Sequence, residues 1–445
     1  MRSILVLFLC FVYSLSFSQS TAEKLDAYLK AAERAGIFNG SVLVSDKGQV
    51  ILSNGYGLKD ADAKVMNDAN SIFQIGSVTK QFTATIILRL AEQGKLSLND
   101  KVSKYLPEFP NADKFTIEHL LSHTAGIYNY TNNSEFMKNE VEKPINSQVF
   151  YAMVKDKPLE FEPGSKFNYS NSGYMLLGYI IEKVTNKPYE QVVRKEIFQP
   201  LAMNNSGFDF THLQHKDKAI GYTLVSDGKG ARAPIVDSTV CYAAGAIYST
   251  VGDLQKWNAA VLSGKILKKA SLQNAFTPRH SGYGFGWAVD TVAGKPAIVH
   301  SGGIHGFLSY NGIFPAENSS IVVLTNSGVA KPGKVFKDIA AILNGQPYEL
   351  PKAKTAVTVD ERILKQYEGV YEITPQFSIT VRVQDGQLKA QATNQPEFDL
   401  YAKNEREFFL KVVDAQVEFV KNEKGEVEKM ILYQNGMTLP GIKKK

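Results

Sequence analysis

Phe73–Leu96, FQIGSVTKQFTATIILRLAEQGKL, opens with Ser77-Val78-Thr79-Lys80 and runs on as a long apolar helix. Positions i and i+3 of a helix share a face, so the Ser77 hydroxyl and the Lys80 amine can meet. An amine beside a hydroxyl is one way to make a nucleophile. A helix N-terminus adds partial positive charge and free N–H groups where an oxyanion would form. Spacing alone does not decide the matter, because Ser226-Asp227-Gly228-Lys229 repeats it in a Gly-rich turn.

Two further stretches carry what a Ser/Lys site needs. EPGSKFNYSNSGYMLLGYIIEKV contains Tyr169-Ser170-Asn171. A Tyr hydroxyl near a Lys ammonium can have a lowered pKa and act as a general base. An Asn amide two residues on can bind a substrate carbonyl and orient the Lys. PAIVHSGGIHGF contains His300-Ser301-Gly302-Gly303, a Gly-rich strand edge that lets a substrate approach closely. Each triplet recurs elsewhere, as Tyr130-Thr131-Asn132, Tyr433-Gln434-Asn435 and His280-Ser281-Gly282, so none is diagnostic alone.

Taken in order with their flanking text, these motifs resemble the serine β-lactamase and penicillin-binding fold. The similarity is to its class C-like group, which includes D-Ala-D-Ala carboxypeptidases, D-amino-acid peptidases and esterases. LLSHTAGI, AAGAIYSTVGDLQKW, YGFGW and VVLTN extend the likeness over roughly residues 25–330. The resemblance implies Ser77 as the acylated nucleophile, Lys80 as the amine that shuttles its proton, and Tyr169 as the general base. It implies Asn171 as the amide that holds substrate, and Ser77 and Gly303 N–H groups as the oxyanion hole, beside Gly302. No metal or other cofactor is implied. The third motif departs from the Lys-Thr-Gly usual in β-lactamases: His300 stands at the Lys position. An ordinary His is mostly neutral at pH 7, which weakens carboxylate recognition and shifts weight toward an esterase, amidase or peptidase. A β-lactamase, a D-Ala-D-Ala carboxypeptidase, and a penicillin-binding sensor that does not turn over are the alternatives.

The rest of the chain sets the frame. At 445 residues two domains are expected. The net charge of +6 is spread along the sequence apart from Lys443-Lys444-Lys445, which excludes the clustered basic groove of a nucleic-acid binder. The expected partner is a small-molecule or peptide substrate. Arg2 followed by ILVLFLCFVYSLSF, with Ser16 and Ser18 before Gln19, reads as a secretory signal over residues 1–18. The mature chain would be periplasmic or extracellular, without a transmembrane segment. Cys10 would leave with the signal, and Cys241 would have no partner.

Residues 19–345 read as an α+β domain. GSVLVSDKGQVILSNGYG is a hairpin near its start, and KPAIVH, GFLSYNGIF and SSIVVLTN are strands near its end. Helices are expected at Ala22–Gly36, from the Ser77 motif to near Gly94, at Ile117–Ser122 and at Gly173–Thr185. One antiparallel sheet built from both chain ends and flanked by helices is the economical arrangement. Residues 346–360 read as a linker. Residues 361–445 hold eight short alternating runs, the pattern of a small antiparallel barrel or sandwich, with an accessory role that shapes or caps the site, or a ligand-binding one. His119 and His123 share a helical face, but Leu120 stands where a zinc-protease motif needs Glu. His212 and His215 read as surface, His305 as a pocket candidate, Tyr128 and Tyr242 as pocket wall or core, and Trp257 as core.

Overall fold

The computed structural model describes residues 19–444 except 227, 396, 412–414 and 435. The signal-peptide reading and Cys10 therefore lie outside the described residues. Among those described, no helix is long and apolar enough to cross a membrane.

The main sheet has six antiparallel strands in the spatial order Gln49–Tyr56, Gly40–Asp46, Ser319–Thr325, Phe307–Phe314, Lys295–Ile304, Ala288–Val292. The two chain ends meet where Gly40–Asp46 pairs with Ser319–Thr325. Side chains on a strand alternate between faces. Val42, Val44, Ile321 and Val323 pack into one core with Leu25 and Leu29 of helix Thr21–Arg34 and Val335 and Phe336 of helix Pro332–Leu343. Leu43, Val322 and Leu324 point into the other core, with Ile86, Ile87 and Leu90 of helix Thr79–Glu92. The Tyr28 hydroxyl donates to Asp338 across the first and last helices of the domain. Ser20 and Glu23 form a capping box that starts the first of these helices.

Helix Thr79–Glu92 is buried on every side over its first three turns, as expected of a helix threaded through a core. Its interior polar groups therefore need partners. Gln81 Oε1 accepts from Trp257 Nε1 and from Asn311 Nδ2, and Thr83 Oγ1 donates to the Ala243 carbonyl. Trp257 is fully buried and stacks on Phe82, so it is core.

The eight C-terminal runs form a closed antiparallel barrel from Gly369–Thr374 to Met437–Lys443. The barrel has its own core, centred on Tyr367, Tyr371, Leu388, Leu400, Phe419 and Met430. Closure removes the sheet edges that a sandwich would expose.

Candidate active site

Ser77 lies one turn earlier than a simple helix reading places it. Gly76–Val78 forms a 3₁₀ turn, and the α-helix begins at Thr79. The expected i,i+3 contact survives across the junction of this turn and the helix. Lys80 Nζ is 3.0 Å from Ser77 Oγ. The turn is anchored from several sides. Phe73–Gln74 pairs with Tyr248–Ser249, the Ile75 N–H donates to the Ile247 carbonyl, and the Ile247 N–H donates to Thr79 Oγ1. Gly76 has φ +51°, a conformation that favours glycine, and a Cβ there would sit 2.7 Å from the Gly303 nitrogen.

Strand Lys295–Ile304 presses on this turn. A Cβ on Gly302 would lie 2.0 Å from the Ile75 carbonyl oxygen, and Ser309 Oγ donates to that same oxygen. The neighbouring strand Ala288–Val292 pairs only as far as Val299. The edge from His300 to Ile304 thus lies open beside Ser77, which brings Gly303 next to the nucleophile turn.

Lys80 is completely buried. Its Nζ reaches Asn171 Oδ1 at 2.8 Å and the Ala244 carbonyl at 2.9 Å, besides Ser77. Burial pushes its pKa down to about 7. Asn171 is the first residue of helix Asn171–Thr185, and Asn129 Oδ1 accepts from its backbone N–H. Its Nδ2 donates to Thr131 Oγ1, which fixes which way the amide faces. The helix reading holds for Asn171–Thr185 with a start two residues earlier than expected.

Tyr169 departs from expectation. Its phenol is not made more acidic: burial raises its pKa, and a hydrogen bond to Ser77 only partly opposes that. Lys80 Nζ sits 4.8 Å from the Tyr169 ring centroid, against the ring face.

His300 departs too. It is buried, with Nδ1 donating to the Ser301 carbonyl. Nε2 is then left to accept from the Tyr283 hydroxyl at 2.8 Å. Burial and the nearby Lys80 push its pKa down to about 3. Both ring nitrogens are committed within the protein, so His300, placed by the motif as a substrate-binding residue, has no N–H left for substrate.

Two residues read as structural or not singled out prove central to this geometry. His123 Nδ1 accepts from the Ser170 N–H, and its ring lies 4.3 Å from that of Tyr169. Tyr283 holds His300. Only the LLSHTAGI and YGFGW text hinted at them. His119 caps its own helix, with Nδ1 accepting from the Thr116 N–H. His212 is exposed beside Asp209. His305 lines the cavity next to Ser77, whereas Tyr128 and Tyr242 do not.

Residues 22–344 match the beta-lactamase family. The chain belongs to that family. Residues 353–440 match a second family, described as a domain of unknown function (DUF3471). This beta-lactamase family member is 29% identical to penicillin-binding protein 4* of Bacillus subtilis (strain 168), over 92% of this chain and 95% of the relative. Its fold is similar to that of the octameric penicillin-binding protein homologue from Pyrococcus abyssi. That match has a TM-score of 0.64 and 27% identity, covering 94% of this chain and 99% of the homologue. A D-stereospecific amidohydrolase from Streptomyces sp. matches at TM-score 0.62 and 26% identity, over 73% of this chain and 98% of that one. The family member is thus related to serine hydrolases and penicillin-binding proteins along its whole catalytic domain.

Proposed function

We propose that the chain is an exported serine hydrolase that cleaves an ester, amide or peptide through an acyl-enzyme on Ser77. The observation that carries this reading is the hydrogen bonding of Lys80. A neutral amine has two N–H bonds and one lone pair. The Asn171 Oδ1 and Ala244 carbonyl oxygens can only accept, so they take both N–H bonds. The lone pair is left toward Ser77 Oγ, 3.0 Å away. A pKa of about 7 keeps much of the amine neutral at working pH.

As Ser77 Oγ bonds to the substrate carbonyl carbon, its proton passes to Lys80. The ammonium then has three N–H bonds for three acceptors. The carbonyl oxygen becomes an oxyanion, held by the N–H groups of Ser77 and Gly303. When the bond to the leaving oxygen or nitrogen breaks, that atom takes up the proton. Tyr169, which stays protonated beside Ser77, relays it. Water then attacks the ester carbon, gives its proton back along the same path and releases the acid. One Asn171 Nδ2 N–H is taken by Thr131, and the second is left for the substrate carbonyl side. Export rests on the composition of residues 1–18.

A fluorescent alkylphosphonate should label wild type and fail on Ser77→Ala; equal labelling of both would sink the reading. The likeness to penicillin-binding proteins favours one other possibility, a site for β-lactams or D-Ala-D-Ala peptides. Neutral His300, closed off by Tyr283 and Ser301, offers no charge to a carboxylate and weighs against it. Ser77-dependent labelling by fluorescent penicillin, with a stable adduct in mass spectrometry, would support the β-lactam sensor instead.

A further inference from the structure

A cavity of about 560 Å³ opens at Ser77, within the ~300–1,000 Å³ typical of ligand pockets. Its walls come from Met137, Val236, Val240, Cys241, Leu308 and Val329. Among the described residues no Lys, Arg, Asp or Glu lines it. Of the polar groups near its mouth, Asn171 is engaged with Lys80 and Thr131, and Thr131 with Asn171, while His305 Nδ1 is buried without a partner. The cavity also has a side. Asn171 and Gly303 line it, whereas Tyr169, Tyr283 and His300 do not. A leaving group must depart toward the residue that protonates it. The cavity lies away from Tyr169, and so holds the part of the substrate that stays attached to Ser77.

We infer that the site takes an uncharged substrate with a bulky apolar acyl group and seats that group in this cavity. The inference rests on the serine-hydrolase reading above and names its substrate class. An apolar acyl chain gains by leaving water for these walls. A charged acyl group would lose its hydration there and meet no Lys or Arg among the described lining residues.

The full-length protein is assayed with p-nitrophenyl acetate, p-nitrophenyl octanoate and the octanedioate half-ester, which adds a terminal carboxylate. The octanoate should exceed both others in kcat/KM by at least about tenfold. Val329→Trp, at the half-exposed rim, should lower the octanoate rate and spare the acetate. Should that variant misfold, the wild-type series still decides. Acetate or half-ester used as well as octanoate overturns the inference, while Ser77-dependent phosphonate labelling in the same preparation leaves the hydrolase reading standing. Loss of that labelling overturns both.

Discussion

Lys80 sets the pH range of the proposed chemistry, because the neutral amine is the form that takes the Ser77 proton. Its pKa is lowered to about 7 by burial, so the active form is lost as pH falls through that value. With a neutral ester, kcat/KM should drop about tenfold per pH unit below the midpoint and level off above it. A profile flat from about pH 5 to pH 9 would remove Lys80 as the base, and Lys80→Met should abolish acylation in a folded protein. His123 acts one step back. It is buried, its carbonyl accepts from the Asn168 N–H, and its Nδ1 accepts from the Ser170 N–H. It thereby pins the segment that carries Tyr169 and Asn171. His123→Asn, which tolerates the positive φ at this position, should lower kcat by about ten- to a hundredfold with KM little changed. The pH midpoint should stay with Lys80; a moved midpoint, or unchanged kcat, would argue against a positioning role. Ser77, Lys80, Tyr169 and Asn171 were legible in the sequence because each pair is local and the motifs keep their order. The fate of His300 was not legible: it is set by the Tyr283 hydroxyl, which reaches it through space.

At the scale of elements, apolar runs bounded by turns revealed five strands of the main sheet and missed the edge strand Ala288–Val292. Gly40–Asp46 and Ser319–Thr325 are buried along nearly their whole length and could be read directly. Ala288–Val292 is an edge strand with only Val292 buried, so it carried no usable pattern. Phe73–Gln74 and Tyr248–Ser249 are too short for any period, although their pairing anchors the nucleophile turn. That anchoring has a sharp requirement at Gly302, where an added Cβ would meet the Ile75 carbonyl oxygen at 2.0 Å. Either the strand or the turn has to move. Gly302→Ala should therefore cost about 1–3 kcal/mol of stability, and should slow phosphonate labelling far more than that loss explains. Gly94→Ala is the contrast. It has φ +68° but open space around it, so it should cost only about 1 kcal/mol and leave labelling unchanged. Equal labelling rates in the two variants would mean that close contact between strand and turn does not matter to the site.

At the scale of the whole molecule, the barrel keeps apart from the chemistry. It was expected to shape or cap the site; among the described residues, those lining the cavity at Ser77 run from Ser77 to Val329. The barrel instead borders a cleft shared by Arg34–Phe38, the connector at Pro351–Lys354 and Phe409–Leu410. The connector follows the domain it leaves and then the one it joins. Tyr348 packs against Tyr28 of the first helix, and the Val357 N–H donates to the Ala402 carbonyl in the barrel. The two domains thus have separate cores, and the natural cut falls between these contacts, after Leu350. The sheet of the catalytic domain takes its strands only from residues before 326, and its last covering helix ends at Leu343. A chain ending at Leu350 should therefore fold, and should keep Ser77-dependent labelling within about threefold of the full chain, the scatter expected for independent sites. The barrel alone, at roughly 85 residues with no open sheet edge, should fold as well. A truncated catalytic domain with native circular dichroism but labelling slowed a hundredfold would mean that the barrel acts on Ser77 through the cleft at Arg34–Phe38, since no barrel side chain lines the cavity among the described residues.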